Sequence, residues 1–220
     1  LGEGAGFFVM ESMEHAAARQ APVLAELLGY GLSNDAYHPT APDPSTRGQV
    51  AAMERALRDG GVAPELVGYV NAHGTGTRAN DPIDSKSIQR AQGDRAQVVK
   101  VSSTKSMIGH CLGGAGALEA VATIASARAG FYPPTAGFTE AREGCNLPDY
   151  LADSNRPWDG RVALSNSFGF GGNNAVLLLD TAPEEAQQVS PLPAPMPTRI
   201  VLSGIGLISP LGVGLAPLVD

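Results

Sequence analysis

The sequence predicts an α/β fold with helices layered on both faces of a sheet. Short apolar segments typical of strands alternate along the chain with longer segments of helical period. The composition agrees, since 27 glycines and only 5% aromatic residues suit close packing of helices on a sheet. Three glycine-framed loops each follow a predicted strand, and ligands in such folds gather beyond the carboxyl ends of strands. We therefore expect the three loops to form one shared site.

The amino-terminal segments follow the strand–helix order. Residues 6–10 are apolar and predict a strand, residues 12–20 predict a short helix, and residues 22–30 predict a second strand. A polar loop rich in proline and aspartate comes next, and residues 46–59 then show the spacing of an amphipathic helix.

The same alternation continues to residue 180. The remaining predicted strands cover residues 66–70, 98–101, 162–164 and 175–179, and the remaining predicted helices cover residues 81–92 and 113–129. Asn80-Asp-Pro is a start signal for the first of these helices, and Gly130 is a stop signal for the second. The last strand is apolar at every position, which is typical of a strand buried on both faces.

The character of the chain changes after Asp180. Residues 181–198 contain five prolines and no helical or strand period, which predicts an extended linker between domains. Residues 199–220 predict a new strand, a glycine turn and a loop. We expect three segments: a domain over residues 1–180, a proline-rich linker over residues 181–198, and the start of a second domain over residues 199–220. Because the sequence begins at Leu1, we also expect it to be cut from something longer.

Charge and cysteine content exclude several classes of function. The formal net charge of −7 leaves no basic face for nucleic acid or for an anionic membrane. No apolar run approaches the roughly 20 residues that span a bilayer. Cys111 and Cys145 suggest no disulfide framework, and no signal peptide opens the chain. We therefore expect a cytoplasmic protein without a nucleic-acid or membrane partner.

Two histidines occupy the first two loops. His73 lies in Asn71-Ala-His-Gly-Thr-Gly-Thr77, and His110 ends Ser102-Ser-Thr-Lys-Ser-Met-Ile-Gly-His110. A pair of imidazoles can both donate hydrogen bonds to one thioester carbonyl, and glycines let the backbone approach the substrate closely. His110 precedes a predicted helix, whose positive amino-terminal end disfavours an imidazolium, so we expect a neutral donor. The alternative is a pair of structural histidines.

The other two histidines and one glutamate have different predicted environments. His15 on a helix and His38 in a polar loop are expected to face solvent. Glu119 shares its helix face with alanine, glycine and serine, a stripe of small residues that packs closely against protein. A buried carboxylate needs a cation, and Lys105 is the obvious candidate.

The third loop is Ser165-Asn-Ser-Phe-Gly-Phe-Gly-Gly-Asn-Asn174. The three loops, in this order and at this spacing, resemble those of the β-ketoacyl synthases, the condensing enzymes of fatty acid and polyketide synthesis. The resemblance covers residues 1–180 and the carboxyl-terminal half of that family. It implies a thiolase-like αβαβα body of two similar α/β halves, of which this chain supplies mainly the second. Residues 199–220 resemble the opening strand and turn of another ketosynthase domain.

The resemblance implies roles for four polar residues. His73 and His110 match the histidines that hold the malonyl thioester, promote its decarboxylation and stabilise the resulting enolate. Lys105 matches the active-site lysine of the family, and Glu119 matches the glutamate that partners it. A direct catalytic part for this pair and a structural ion pair that supports the loop remain open alternatives.

Further residues match family positions around the substrate. Thr75 and Thr77 match threonines that hydrogen-bond the phosphopantetheine arm of an acyl carrier protein, although loop capping would also explain them. Phe168 matches an aromatic gate beside the nucleophile, and Phe170 is expected in the core. Asp84 stands where relatives often carry a glutamate near the histidines, so the shorter side chain puts that contact in doubt.

The largest departure from the family is the missing nucleophile. Relatives place the acyl-carrying cysteine in their amino-terminal half. Cys111 follows His110, but adjacent residues at the start of a helix diverge by about 100° and need not share a pocket. Cys145 is expected to be a small packing residue. We therefore expect these 220 residues not to catalyse condensation alone, and to be poorly soluble in isolation because apolar surface is exposed.

The resemblance implies a parent protein that performs decarboxylative Claisen condensation of malonyl-acyl carrier protein with an enzyme-bound acyl thioester. No metal or redox cofactor is needed, because the substrates travel on the phosphopantetheine of the carrier protein. The parent is expected to form a homodimer, or a heterodimer with another ketosynthase-like subunit. The alternative function is a non-catalytic partner subunit like a chain-length factor. A thiolase is disfavoured because its glycine-rich cysteine motif does not occur here.

Overall fold

The computed structural model describes residues 1–152, 156–183, 200–209 and 212–213. Side chains are described for the first two ranges and for residues 201–204. The strands of the described chain are β1 Ala5–Ser12, β2 Ala25–Asn34, β3 Val67–Asn71, β4 Lys100–Ser102, β5 Val162–Gly169, β6 Asn173–Asp180, β7 Ile200–Ser209 and β8 Gly212–Val213. Its α-helices are α1 Met13–Ala18, α2 Arg47–Asp59, α3 Asp81–Gln92, α4 Lys105–Ile108 and α5 Ala115–Ala129. The predicted α/β class is confirmed.

All these strands form one mixed sheet. Its order is β1-β7-β2-β6-β5-β3-β4, and β8 pairs with β7 at the side. The strands from β1 to β5 are antiparallel to their neighbours, whereas β5, β3 and β4 run parallel. The carboxyl ends of these three parallel strands therefore lie at one edge of the sheet. The segments that carry His73, Lys105 and Phe168 all leave or end strands at this edge, as predicted.

Helices cover both faces of the sheet. On one face α2 packs so closely on β2 that a Cβ atom at Gly31 would lie 1.8 Å from the carbonyl oxygen of Ala52. On the other face α5 lies against β5, since a Cβ atom at Gly116 would lie 3.1 Å from Ser167 Oγ. Glycine at both contacts lets the helices approach the strands closely, which agrees with the glycine-rich composition.

The largest apolar cluster lies between α2, α3 and the sheet. It includes Met53, Ile88, Val70, Leu164 and Leu178, and all five residues are fully buried. A second cluster of Tyr69, Tyr132 and Trp158 closes the opposite side of β3, where the rings lie 4.5 to 5.7 Å apart between centroids. These two clusters pack against the two sides of β3, the strand that leads into the His73 loop.

The third glycine-framed segment is a hairpin rather than a loop. β5 continues through Gly169 and pairs with β6 without interruption from Val162↔Asp180 to Gly169↔Asn173. Gly171 and Gly172, with φ of +79° and +73°, make the turn in the left-handed region that glycine tolerates. The predicted strand of residues 162–164 is therefore too short. Its polar continuation is stabilised by the ladder with β6, which the local sequence does not reveal.

The β1–β7 ladder repeats the β2–β6 ladder. β2 carries Gly29 and Gly31 and skips Leu28 in its pairing with β6, and β7 carries Gly204 and Gly206 and skips Ser203 in its pairing with β1. The skipped residue precedes the first glycine in both cases.

Most of the predicted linker, from residue 184 onward, lies outside the described residues.

Some apolar side chains of the sheet remain uncovered. Phe7 and Val9 of β1 are 71% and 54% exposed, and Tyr30 and Leu32 of β2 are both 56% exposed. This surface is the physical basis for the predicted poor solubility of the isolated chain. Among the residues described here, no helix is long and apolar enough to cross a membrane.

Candidate active site

The two loop histidines meet at the edge of the sheet. His73 lies two residues beyond β3 and is buried, and His110 follows α4 and is half-buried. Their ring centroids are 5.5 Å apart and their planes are nearly perpendicular, at 84°. Both line a cavity of about 670 Å³. The predicted convergence of the two histidines is present in the fold.

Both imidazoles are neutral at physiological pH. Burial lowers the pKa of His73 to about 3, and the positive charge of Lys105 adds to the effect. The pKa of His110 is also lowered, first by burial and then by Lys105. The neutral state of His110 agrees with the prediction. α5 begins at Ala115, directly after a 3₁₀ turn over Leu112–Gly114 whose first N–H contacts the His110 ring.

A backbone contact fixes the proton on His110. The N–H of Leu112 donates to His110 Nδ1 at 3.1 Å, so this nitrogen is an acceptor and the proton resides on Nε2. Leu112 adopts a left-handed φ of +51° to make the contact. Lys105 Nζ lies 3.4 Å from His73 Nδ1, which favours the same tautomer there. Both Nε2–H groups are therefore available as donors.

Lys105 and Glu119 form a buried ion pair. Their side chains are only 4% and 1% exposed, and Lys105 Nζ donates directly to Glu119 Oε1. Burial raises the pKa of Glu119 to about 7, and the nearby ammonium opposes this rise. Glu119 Oε2 has no hydrogen-bond partner within the described part of the chain. The pairing predicted from the stripe of small residues is present.

The two threonines of the first loop lie at the cavity wall. Their hydroxyl oxygens are 2.9 Å apart, and both side chains line the same cavity as the histidines. Thr77 Oγ1 also accepts the N–H of Asn80 at 3.2 Å, just before α3 begins. Thr77 therefore caps the loop as well, whereas the Thr75 hydroxyl has Thr77 as its one hydrogen-bond partner in the described part of the chain.

The aromatic residues of the hairpin differ in placement. Phe168 is 7% exposed, lines the cavity and has its ring centroid 5.8 Å from that of His73. Phe170 is 74% exposed, so the expectation that it packs in the core is wrong. It lies in the turn between β5 and β6 and lines the same cavity as the two histidines.

The two cysteines are not arranged as nucleophiles. Cys111 Sγ packs with Ile108, Leu118 and Val121, and burial raises the pKa of its thiol. Cys145 is half-buried, and burial raises the pKa of its thiol too. Neither thiol is poised as the thiolate that acyl transfer requires. His15 and His38 are exposed, as predicted.

A polar network that the sequence analysis missed lies across the cavity from the histidines. Asp35 accepts hydrogen bonds from Asn174 Nδ2 at 2.6 Å and from Gln49 Nε2 at 2.9 Å, and all three residues line the cavity. They come from three distant segments. Of the three, only Asn174 lies in one of the glycine-framed loops, at the end of the third.

Asp84 contacts the His73 loop in spite of its short side chain. Its Oδ2 accepts the N–H of Gly74 at 2.8 Å, and the side chain is 3% exposed. Burial raises the pKa of its carboxyl to about 6. The described residues contain no group of three or more histidine, cysteine, aspartate or glutamate side chains placed to hold a metal ion.

Known proteins are similar to this chain in sequence and in fold. Residues 24–139 match the family described as Beta-ketoacyl synthase, C-terminal domain. The 3-oxoacyl-acyl-carrier-protein synthase 2 of Coxiella burnetii is 49% identical over 179 residues, which are 81% of this chain and 43% of that protein. The chain thus spans less than half the length of this relative.

Solved structures agree with the sequence match. The ishigamide ketosynthase/chain length factor has a TM-score of 0.73 and 44% identity, over 78% of this chain and 41% of that one. A type II PKS acyl-carrier protein in complex with its ketosynthase bound to the hexaketide has a TM-score of 0.74 and 34% identity, over 78% and 42%. The chain therefore belongs to the β-ketoacyl synthase family and contains its carboxyl-terminal domain.

Proposed function

We propose that this chain is the carbonyl-binding part of a β-ketoacyl-acyl carrier protein synthase that performs decarboxylative Claisen condensation. The observation that carries the proposal is the pair of neutral imidazoles, His73 and His110, whose Nε2–H groups are free to donate at one cavity. Two donors aimed at one oxygen stabilise the negative charge that develops when a malonyl thioester loses carbon dioxide.

In the proposed reaction, a malonyl thioester loses carbon dioxide and the resulting enolate attacks an acyl thioester. The malonyl thioester carbonyl accepts hydrogen bonds from His73 and His110. The bond to the carboxylate carbon breaks, carbon dioxide leaves, and the electron pair moves into the enolate that the two donors hold. The enolate then attacks an acyl thioester carried on a cysteine outside this chain, and the cysteine leaves as a thiolate. Both histidines remain neutral throughout.

Lys105 and Glu119 support this arrangement. Lys105 faces Nδ1 of His73 and so keeps the proton of that ring on Nε2, while Glu119 balances the buried ammonium.

The substrates would arrive on an acyl carrier protein. Thr75 and Thr77 offer hydroxyls along the cavity wall to the amides of a phosphopantetheine arm, and Phe168 closes the cavity beside His73. The similar ketosynthase solved with an acyl-carrier protein supports this choice of partner. The chemistry needs no metal or redox cofactor, because every step moves electrons between carbon, oxygen and sulfur of the two thioesters.

The assembly and location of the parent protein are further parts of the proposal. The exposed apolar side chains on the two faces of β1 and β2 suit burial in a dimer of ketosynthase-like subunits or against another half of the same protein. We place the parent in the cytoplasm. Residues 199–220 would start a second ketosynthase-like domain, because β7 repeats the register of β2, the strand that opens the matched family domain.

A chain-length-factor-like subunit is the second candidate. It is favoured by the likeness to the ishigamide ketosynthase/chain length factor, and it would keep the fold without the chemistry. The presence of both histidines and of Lys105 counts against it. Whether the parent catalyses condensation in fatty acid or in polyketide synthesis does not alter the site.

The test uses the full-length protein that contains this chain. It is incubated with malonyl-acyl carrier protein and an acyl donor, and released carbon dioxide and β-ketoacyl product are measured. We expect both to form. A folded protein that forms neither when assayed alone, but forms both with a ketosynthase partner, would favour the non-catalytic subunit instead.

A further inference from the structure

The His73 loop is a thin wall between two cavities. His73 and Thr75 line the cavity of about 670 Å³, and Gly74, Thr75 and Gly76 line a second cavity of about 500 Å³. A segment with open space on both sides gains little from side-chain packing. Its position must therefore depend on hydrogen bonds to its backbone.

The peptide groups around Gly74 are held at both ends. The N–H of Gly74 donates to Asp84 Oδ2 at 2.8 Å, and the Gly74 carbonyl accepts from Ser103 Oγ at 2.6 Å. A Cβ atom at Gly74 would lie 2.5 Å from Ser103 Cβ, and the residue has a φ of +42°. Because Gly74 directly follows His73, these two contacts fix the peptide bond that leaves the histidine.

A second carboxylate from the same helix turn holds the threonine end of the loop. Asp81 Oδ1 accepts the N–H of Gly76 at 3.1 Å, and its Oδ2 pairs with Arg142 Nη1 at 3.1 Å. Asp81 and Asp84 are three residues apart in the first turn of α3 and so lie on one side of the helix. The amino-terminal end of a helix also favours negative charge at these positions.

Asp84 occupies its place at an energetic cost. Its carboxyl group is buried, and its Oδ1 has no hydrogen-bond partner among residues 1–152 and 156–183. A buried polar atom without a partner is unfavourable, so the contact with Gly74 must compensate for it. If the site only needed to be filled, a neutral side chain would cost less free energy to bury.

We infer that Asp84 is a positioning residue for His73. By accepting the Gly74 N–H, it fixes the backbone beside the histidine and thereby directs the Nε2–H into the cavity, while Asp81 does the same at Gly76 for Thr75 and Thr77. The inference rests on the proposed function for the purpose of the positioning. The two contacts, Asp84 with Gly74 and Asp81 with Gly76, form what we call the clamp, and they can be measured without catalysis.

The clamp is tested by hydrogen–deuterium exchange of the peptide spanning residues 72–77 in the full-length protein. Asp84→Ala removes the acceptor and is expected to speed exchange of the Gly74 amide by roughly 10- to 100-fold, as for loss of a hydrogen bond to a charged group. Asp84→Asn keeps an acceptor oxygen without the charge and should fall between Asp84→Ala and the unmodified protein. Asp94→Ala, which removes an exposed carboxylate shortly after α3, is the matched control and should change nothing.

The positioning role is tested by kinetics on the same variants. Asp84→Ala should lower the kcat of carbon dioxide release with little change in KM. The substrate contacts are kept, but the Nε2–H of His73 is no longer directed at the thioester carbonyl. Unchanged Gly74 exchange in Asp84→Ala, or faster exchange with an unchanged kcat, would overturn the inference. If Asp84→Ala fails to fold, Asp84→Asn carries the test, with the same two readouts. If the unmodified protein releases no carbon dioxide but Gly74 exchange still rises in Asp84→Ala, the proposed function is refuted and the clamp is supported.

Discussion

The backbone N–H of Leu112 donates to Nδ1 of His110 at 3.1 Å. This single contact decides the tautomer of the ring, because an imidazole nitrogen that accepts a hydrogen bond cannot carry the proton. The Nε2–H is then the only N–H of the neutral ring. His73 reaches the same state by another route, through the ammonium of Lys105. Two different environments thus prepare two equivalent donors.

The neutrality of His73 predicts a pH dependence. Burial lowers its pKa from an ordinary value of 6.5 to about 3, so the folded protein resists protonation of this ring. The corresponding contribution to stability is complete above pH 6.5 and is lost as the pH falls towards 3. Titration of His73 by NMR should show no midpoint between pH 5 and 8. A midpoint near 6.5 would contradict the assignment of a buried neutral donor.

Asp84 should act on stability in the opposite direction. Its pKa is raised from 3.8 to about 6 by burial, so the folded state binds the proton more tightly than the unfolded state does. Its contribution is complete below pH 3.8 and is lost as the pH rises through about 6, which amounts to at most about 3 kcal/mol. Asp84→Asn should therefore flatten the unfolding free energy between pH 4 and 7 in denaturant titrations. An unchanged pH dependence would show that Asp84 is not buried as a carboxylate.

The Lys105–Glu119 pair predicts strong coupling between two substitutions. Lys105→Met leaves Glu119 buried without its cation and should cost about 3–5 kcal/mol of unfolding free energy at pH 8. Adding Glu119→Gln removes the stranded charge and should restore a large part of that loss. Chemical denaturation of the two single variants and the double variant measures the coupling. Simple additivity would mean that the two groups do not interact.

The contact between α2 and β2 predicts a sharp requirement for glycine. A methyl group at Gly31 would meet the backbone of Ala52 at 1.8 Å, so Gly31→Ala should destabilise the protein by about 1–3 kcal/mol or more. Gly113 has no atom within 4 Å of a Cβ built on it, and Gly113→Ala is the matched control with little expected effect. Equal melting temperatures for the two variants would contradict the observed packing.

Local signals predicted a large part of the fold. α3 has the predicted bounds because Asn80-Asp-Pro marks its start, and α5 ends at Ala129 because Gly130 takes a left-handed φ of +82°. The shared site followed from a rule of topology, since parallel strands present their carboxyl ends at one edge. The two helix bounds depend on residues close together in the chain, whereas the site depends on the strand order.

The sequence did not reveal other features, some of which depend on contacts between distant segments and one of which depends on the conformation of a local turn. The strand character of Ser165 to Gly169 comes from the ladder with β6, and the tautomer of His110 comes from a turn whose conformation no local motif encodes. The contact of Asp84 with Gly74 joins a helix to a loop across ten residues. Only the folded arrangement shows which oxygen meets which N–H.

The central claim is that His73 and His110 together hold the carbonyl of a malonyl thioester. The most direct measurement is carbon dioxide release from malonyl-acyl carrier protein by the full-length protein and by its His73→Ala, His110→Ala and His15→Ala variants. Loss of one donor at a developing oxyanion costs roughly 10²- to 10³-fold in rate. We predict a loss of that size in each of the first two variants and none in His15→Ala, whose ring is exposed beside Glu11. Release that survives in either of the first two variants, with the fold intact, would contradict the account.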